Sequence, residues 1–342
     1  MKKLKFSICI PTYNGSKWIK ETLESILFQS FQNFEIVISD DCSKDDTVEV
    51  IKNIRDKRIK IHQNKINLGY GKNLQVLRRL AKGDILFLMG QDDILLKDAL
   101  MKTHNAFMLG EEIGLVTRPY YWFYEDVKKP VRAIFPYDNE KDSVISVLDG
   151  KREVQKIFES VGQLSGLAYR RKYMDIDFHE ETFPAHIYPF ASITKKYKVV
   201  YLKDYTVAVR IESSQTRFKK SIYDISPTES WVKMFNTVYR EKKYEEVRKA
   251  GIEQMAKNYI GLVQLKNYST FKNLLREILI LIKLRPLNLL SPAFWFFSLG
   301  TIFVPRKFLI WLVDNYKKAV LSKKLRAIKI EIPKKRRNGK NN

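Results

Sequence analysis

The sequence predicts an α/β fold: a mostly parallel sheet with helices on both faces, followed by a C-terminal helical, membrane-associating region. Three observations predict it. Strand-like and helix-like patterns alternate over residues 1–120. Short polar clusters follow the strands. Beyond residue 277 the chain turns strongly apolar between basic residues. Strands separated by helices of this length form parallel sheets covered on both faces. Such sheets bind ligands just beyond the carboxyl ends of their strands.

The elements follow in order. FSICI (6–10) reads as a strand, PTYNGS as a turn, and 18–28 as a helix with Ile19, Leu23, Ile26 and Leu27 at helical spacing. EIVIS (35–39) is a second strand, and 46–54 a helix with Val48, Ile51 and Ile54 on one side. A third strand spans 59–62. Leu74, Leu77 and Leu80 mark the next helix, 85–89 is a fourth strand and 99–108 a further helix. PYYWFYED (119–126) is extended and 151–160 helical, and 199–202 and 206–210 are short strands. From Thr228 onward the pattern is helical. The expected organisation is an α/β domain over 1–217, a helical basic and apolar region over 218–330, and a disordered basic tail over 331–342.

With 45% apolar and 13% aromatic residues over 342 positions, the chain can bury a sizeable core, which excludes a disordered protein. Its net charge is +24, and residues 217–342 carry 28 of the 62 Lys and Arg but only 9 of the 38 Asp and Glu. Such asymmetry points to a polyanion, either nucleic acid or an anionic membrane face. The aromatic residues lie in apolar runs and form no RNA-binding motif, so no nucleic acid is expected. Residues 287–304 are free of charge, but 18 residues sit at the lower edge for a membrane span. Pro286, Pro292 and Pro305 break the region, and Asn288, Ser291, Ser298 and Thr301 make it partly polar. The pattern favours helices lying in an anionic membrane surface over helices crossing it. Cys9 and Cys42 form neither a disulfide framework nor a zinc pattern, and the apolar run near the start is too short for a signal-peptide core. The expected location is cytoplasmic, peripheral on the inner face of the plasma membrane.

Three polar clusters end three strands: PTYN (11–14), SDDCSKDD (39–46) and GQDD (90–93). In a parallel sheet all three meet at one edge. Asp92 and Asp93 repel each other unless a cation holds them, and Mn2+ or Mg2+ commonly shares one or two carboxylates with substrate phosphates. The competing role is a helix cap. Asp45 and Asp46 are better placed to cap the following helix, which leaves Asp40 and Asp41 for a base or ribose hydroxyl. Thr12 offers a hydroxyl and Tyr13 an aromatic face for a nucleobase.

PTYN, SDDCSKDDT, NLGYGKNL (67–74) and GQDD, in this order and spacing, resemble glycosyltransferase family 2, inverting sugar transferases of the Rossmann-like GT-A fold. The resemblance covers about residues 4–215. It implies a nucleotide pocket lined by Pro11, Thr12 and Tyr13, with Asp41 near the base, Asp40 beside it, and Asn67, Gly69 and Asn73 in a loop below the nucleotide. It implies Asp93 as the metal carboxylate and Asp92 as its partner at ribose and metal, with Gln91 where many relatives carry a third acid. The donor would be a nucleotide sugar, of which UDP-sugars are the commonest. The acceptor would be a lipid-linked saccharide of a surface polysaccharide such as O-antigen or capsule, or polyprenyl phosphate.

The general base departs from the family pattern. Counting back from the strand KYKVVYL (196–202), the expected position falls on PAH (184–186), which holds no acid. His186, Glu181 and Glu180 compete for the role. An imidazole titrates near ~6.5 without tuning, which favours His186, while the competing role is a structural histidine. Gly166 would let the backbone approach the donor sugar. Arg170 and Arg171 are either phosphate contacts or a solvated pair, and Arg210 stands where relatives have a histidine that closes on the diphosphate.

Overall fold

The computed structural model describes residues 4–180, 184–212, 223–316 and 322–334. Its α/β part runs β1 (Phe6–Thr12), α1 (Ile19–Leu27), β2 (Phe34–Asp40), α2 (Thr47–Lys52), β3 (Ile59–Gln63), α3 (Tyr70–Leu80), β4 (Ile85–Leu88), β5 (Ile94–Leu95), α4 (Ala99–Phe107), β6 (Ile113–Thr117), β7 (Tyr120–Phe123), β8 (Arg132–Ile134), β9 (Ser143–Ile145), α5 (Lys151–Ser160), β10 (Ala168–Arg170), α6 (Ile187–Thr194), β11 (Lys198–Tyr201) and β12 (Val207–Arg210). The large sheet has the order β3-β2-β1-β4-β10-β6-β11-β9, and a small second sheet the order β5-β12-β7-β8.

The alternation along each strand explains the two-sided core. On β1, Phe6, Ile8 and Ile10 enter one apolar cluster and Cys9 the other. On β4, Ile85 and Phe87 join the first, and Leu86 and Leu88 the second. Side chains of a strand point to opposite faces, so nearly continuous apolar runs mark strands buried on both sides. Helices α1, α2 and α4 cover one face, and α3, α5 and α6 the other.

The sheet is more mixed than the sequence suggests. β1 runs parallel to β2 and β4, and β2 parallel to β3. Between β4 and β6, however, β10 is inserted antiparallel to both. It has three residues, one of them Arg170, which gives too short and too charged a pattern to announce an interior strand.

β2 begins with a buried acid. The Glu35 carboxylate accepts bonds from Ser7 Oγ (2.7 Å), Lys82 N (2.8 Å) and Lys60 Nζ (2.6 Å). Burial alone would raise its pKa, but the bonds from Lys60, Ser7 and Lys82 and the charge of Lys5 outweigh it and hold the value at about 2, against an ordinary 4.5. A depressed carboxylate stabilises the fold above its ordinary pKa and loses that contribution as pH falls towards its folded value. Glu35→Gln is therefore expected to lower stability at neutral pH by roughly 3 kcal/mol and to flatten its decline between pH 4.5 and about 2. Denaturant unfolding across that pH range measures it; parallel curves for both proteins would contradict it.

Beyond residue 223 the chain is helical: α7 (Pro227–Val238), α8 (Glu245–Ala256), α9 (Ile260–Tyr268), α10 (Phe271–Leu284), α11 (Pro292–Phe303), α12 (Arg306–Tyr316) and α13 (Ser322–Arg326). The first two do not stand apart from the α/β domain. Phe235 of α7 meets Phe158 of α5 at 4.8 Å, and Met234, Val238, Val247 and Ala250 enter the same apolar cluster as α5 and α6. Gly251 of α8 lies where a Cβ would come 2.2 Å from the Phe235 ring, so glycine permits this approach. The division of packing thus falls after α8, not at residue 217. Leu262, Leu274, Leu281 and Phe294 of α9–α11 form a separate small core. Glu277 of α10 ties it back by accepting Ser226 Oγ (2.5 Å) and Thr228 N (3.2 Å) at the start of α7, where a helix favours negative charge.

The tail begins later than expected. Glu331 O accepts a bond from Lys97 N (2.8 Å), its carboxylate pairs with Lys97 Nζ (2.6 Å), and Ile328 and Ile330 pack against the core of the second sheet. Residues 335–342 lie outside the described residues. Among the described residues no helix is long and apolar enough to cross a membrane.

Candidate active site

The order β2-β1-β4 brings the three polar clusters to one edge, as their sequence positions predict. They assemble as two layers. Thr12, Asp40, Asp41, Asn73 and Asp93 are buried, while Pro11, Tyr13, Asn14, Asn67, Gln91 and Asp92 reach solvent above them.

The buried layer builds the loops. Asp40 accepts bonds from Ser43 N (3.0 Å) and Ser43 Oγ (2.5 Å), which turns the chain after β2. Asp41 binds Asn64 Nδ2 (2.9 Å) and Leu68 N (2.8 Å) with one oxygen and Gly69 N (2.8 Å) with the other. Asn73 donates to Ser39 O (2.9 Å) and accepts from Asn64 (3.1 Å). Asn67 Nδ2 closes the loop on Asp41 O (3.2 Å). Asp40 and Asp41 are therefore framing groups, not the free carboxylates that their distance from the helix caps suggested. Gly69 adopts φ +85° at the start of α3, a conformation that costs glycine little.

Strain gathers here as well. Asn14 and Cys42, in the loops after β1 and β2, both hold positive φ (49° and 62°) without being glycine. Asn14 N donates to Ser43 Oγ (2.8 Å) and Asn14 Oδ1 accepts Lys44 N (2.8 Å), so each loop fixes the other. Such outliers persist only where surrounding bonds over-determine them, and they cluster at functional sites.

Gln91 acts as a clamp. Its side chain accepts Tyr13 N (2.9 Å) and donates to Tyr13 O (3.1 Å), joining the ends of β1 and β4. Thr22 Oγ1 braces the same turn through Gln91 O and Asp93 O, both at 2.9 Å.

Asp92 and Asp93 differ. Asp93 is buried; Ser165 Oγ donates to one of its oxygens and Arg210 N (2.9 Å) to the other. Burial, then the neighbouring Asp92 charge, push its pKa up. Asp92 stands partly exposed at the rim, and its own C=O accepts Arg210 Nε (3.1 Å). Among the described residues no third His, Cys, Asp or Glu joins the pair in a metal-holding cluster.

Arg118 was not visible as a functional residue in the sequence. It is fully buried, and its guanidinium donates to Ser160 O (2.9 Å), Gln163 O (2.9 Å) and Ser165 O. Burial lowers its pKa to about 10. It thereby sets the loop whose Ser165 hydroxyl holds Asp93 and accepts Gly90 N (2.8 Å). The Gly166 expectation changes accordingly: at φ +86° a Cβ there would meet Val207 (2.6 Å) and Arg118 Nε (2.8 Å), so the close approach is to the protein's own arginine.

Three other arginines bond within the chain; Arg170 and Arg210 are buried, while Arg171 is exposed. Arg170 binds the carbonyls of Ile113, Phe107 and Gly110, and Arg171 Nε binds Gly83 O (2.6 Å). Arg170 thus braces the fold, while Arg171 stays at the surface with one bond to it. Arg210 is buried between Trp18 and Phe123, reaches Glu21, and supports the Asp92–Asp93 turn from behind instead of closing over a ligand.

His186 also differs from expectation. It is 2% exposed, Nε2 meets Val161 O (2.8 Å), and Nδ1 meets Tyr70 Oη (2.9 Å). Burial pushes its pKa down to about 4. Both ring nitrogens are engaged, so neither is left to take a proton from an acceptor; the geometry is that of a structural histidine. Glu180 is exposed and lies 3.8 Å from Lys72. Its backbone crosses the first turn of α3 so closely that a Cβ on Gly71 would come 2.5 Å from Glu180 O. Glu181 lies outside the described residues.

Comparison with known proteins bears on this geometry. Residues 7–172 match the family Glycosyl transferase family 2. Over 109 residues the chain is 38% identical to poly(ribitol-phosphate) beta-N-acetylglucosaminyltransferase TarS of Staphylococcus aureus, covering 31% of this chain and 19% of that protein. Over 99 residues it is 41% identical to abequosyltransferase RfbV of Salmonella typhimurium, covering 28% and 30%. The matched stretch thus spans less than a third of either relative. In structure, S. aureus TarS 1–349 superimposes with TM-score 0.63 and 18% identity over 94% of this chain and 91% of that one, so the likeness extends into the helical region. TarS 1–349 in complex with UDP-GlcNAc gives TM-score 0.60 at 19% identity over 94% and 92%. Mannosyltransferase PcManGT of Pyrobaculum calidifontis, in complex with GDP-Man and Mn2+, gives 0.52 at 13% identity over 94% and 89%.

Proposed function

Because residues 7–172 form a glycosyltransferase family 2 domain on the GT-A fold, we propose that the chain moves a sugar from a nucleotide-diphosphate donor, a UDP-sugar, to a hydroxyl of a lipid-linked saccharide in surface-polysaccharide synthesis. The reaction is a single displacement with inversion, carried out in the cytoplasm at the inner, anionic face of the plasma membrane. The observation that carries this reading is the edge where β1, β2 and β4 end, with an exposed polar rim over buried, fully bonded carboxylates. Printed ligands of the structural neighbours, UDP-GlcNAc and GDP-Man, support a nucleotide-sugar donor.

In this reading Pro11, Thr12 and Tyr13 line the nucleotide pocket, with Tyr13 offering its ring to the base. Asp40, Asp41 and Asn73 act through the loops that they fix, presenting Asn67 and Gly69 beneath the nucleotide. Asp92 and Asp93 supply an oxygen-only donor set that suits Mn2+ or Mg2+ shared with phosphate oxygens, and the ion would offset the charge of the leaving diphosphate. Asp93, held by Ser165 and Arg210, is the fixed carboxylate of that set, and Asp92 its partner at ribose and metal. The acceptor hydroxyl attacks the anomeric carbon from the face opposite the leaving group and yields its proton to a carboxylate of the 180–181 segment. Gly71 lets the backbone of His179 and Glu180 lie against the first turn of α3, beside the nucleotide loop.

Incubation with UDP-, CDP-, GDP- and TDP-sugars and a membrane extract as acceptor source tests the proposal. One donor class is expected to release its nucleoside diphosphate with sugar appearing in lipid. Release from none of them, by folded protein, would contradict it. In the same assay Glu181→Gln or Glu180→Gln should lower turnover about a hundredfold or more at unchanged donor affinity. His186→Ala should instead lower stability, by about 2–4 kcal/mol. A full loss of turnover in a His186→Ala protein of unchanged stability would return the base role to the histidine.

A further inference from the structure

Helices α10, α11 and α12 bury one set of apolar residues and present a second set outward. On α11 Phe296, Leu299 and Phe303 recur at intervals of three and four, so they share one face; Phe296 is 74% and Phe303 76% exposed. The opposite face buries Phe294 together with Ser298 and Thr301, and Ser298 Oγ finds no partner among the described residues. On this helix two hydroxyl side chains lie inside beside Phe294, while the rings of Phe296 and Phe303 face water. Burial in water would favour the reverse arrangement. On α10, Phe271, Leu275 and Leu279 form a stripe at intervals of four, and on α12 the rings of Phe308 and Trp311 stack 5.4 Å apart in solvent.

At one end of these helices lies a cavity of about 450 Å³ lined by Lys257, Tyr259, Arg285, Leu287, Leu290 and Ser291. Its polar side carries Arg285 and also Lys257, whose ammonium pairs with Glu253 (2.5 Å), and its apolar side carries Leu290, 79% exposed. Arg285 bonds the Asn288 side-chain oxygen (2.7 Å), which Tyr259 Oη also reaches (2.7 Å), and it pairs with no carboxylate among the described residues. A guanidinium held in place with donors to spare suits a phosphate oxygen.

We infer that α10–α12 form a bilayer-docking surface whose Lys257–Arg285 cavity takes the phosphate of an anionic lipid, with the acyl chains running over Leu287, Leu290 and the outer face of α11. The inference deepens the proposed function, on which it rests for the membrane as place of work; the surface itself rests on these helices. Charge complementarity selects the occupant, because Lys272, Lys283, Arg306 and Lys307 flank the apolar faces and are exposed. Basic residues beside an interfacial apolar face draw it to anionic lipid.

The test uses the full chain with phosphatidylcholine vesicles, with and without phosphatidylglycerol, in co-sedimentation at low and high salt. UDP binding is followed on the same samples, so that a failed transferase reading is seen separately from failed docking. Binding is expected only with phosphatidylglycerol and weakens with salt. Phe296→Ser with Phe303→Ser should weaken it at least about tenfold, and Arg285→Gln about fivefold, both without change in thermal midpoint or UDP binding. Equal binding to neutral vesicles, no binding, or variants that bind like wild type would overturn the inference. So would concentration-dependent self-association that the Phe296→Ser, Phe303→Ser variant abolishes, since the face would then belong to a second copy.

Discussion

Asp92→Asn is expected to lower sugar transfer by at least about a hundredfold while leaving the thermal midpoint unchanged. The reason lies in the division of labour between the two adjacent acids. Asp92 stands partly exposed at the rim, where its removal disturbs less buried structure than removal of its neighbour. Asp93 is buried and bonded on both oxygens. Asp93→Asn should therefore cost activity and stability together. The amide would place a second donor against either the Ser165 hydroxyl or the Arg210 N–H, which leaves a buried polar group unpaired. Thermal melts alongside donor kinetics separate the two variants. Equal loss of stability in both would show that the acids do not differ in role.

Arg118→Met is expected to be the most destabilising single change near the site, by roughly 3–5 kcal/mol. Three carbonyls, those of Ser160, Gln163 and Ser165, would lose their donor inside the protein. Arg118→Lys should recover only part of this, because an ammonium lacks the planar fork that reaches several acceptors at once. Turnover should fall further than stability alone explains, since the Ser165 loop also orients Asp93. Ser165→Ala isolates that second effect: it removes the hydroxyl bonded to Asp93 and Gly90 but leaves the arginine in place. An Arg118→Met protein with normal stability and turnover would show the arginine to be dispensable.

What could be read from the sequence follows from range. Strands β1, β2 and β4 announce themselves because each is a largely apolar run ended by polar residues, and the chemistry-bearing edge follows from their parallel order. β10 was invisible because its place between β4 and β6 is decided by its neighbours and not by its own three residues. The identity of the edge residues was legible, but their orientation was not. Asp41, Arg210 and His186 are all polar residues at a predicted site, yet each side chain is consumed by bonds to partners 28, 118 and 116 positions away. Arg118 and Ser165 had no local signal at all, since a buried arginine satisfied by distant carbonyls looks in sequence like any surface cation. The short apolar helices separated at Pro286, Pro292 and Pro305 were legible because proline breaks and helical periodicity are local.

The central claim, a nucleotide-sugar site at the edge of β2-β1-β4, is tested most directly by calorimetric titration of UDP, CDP, GDP and TDP. Each is measured with and without Mn2+, on the wild type and on Asp92→Ala. The account predicts that one nucleotide, UDP, binds the wild type more tightly with Mn2+, and that the variant loses the metal-dependent part while remaining folded. Failure of the folded wild type to bind any of the four, with or without the metal, would contradict it.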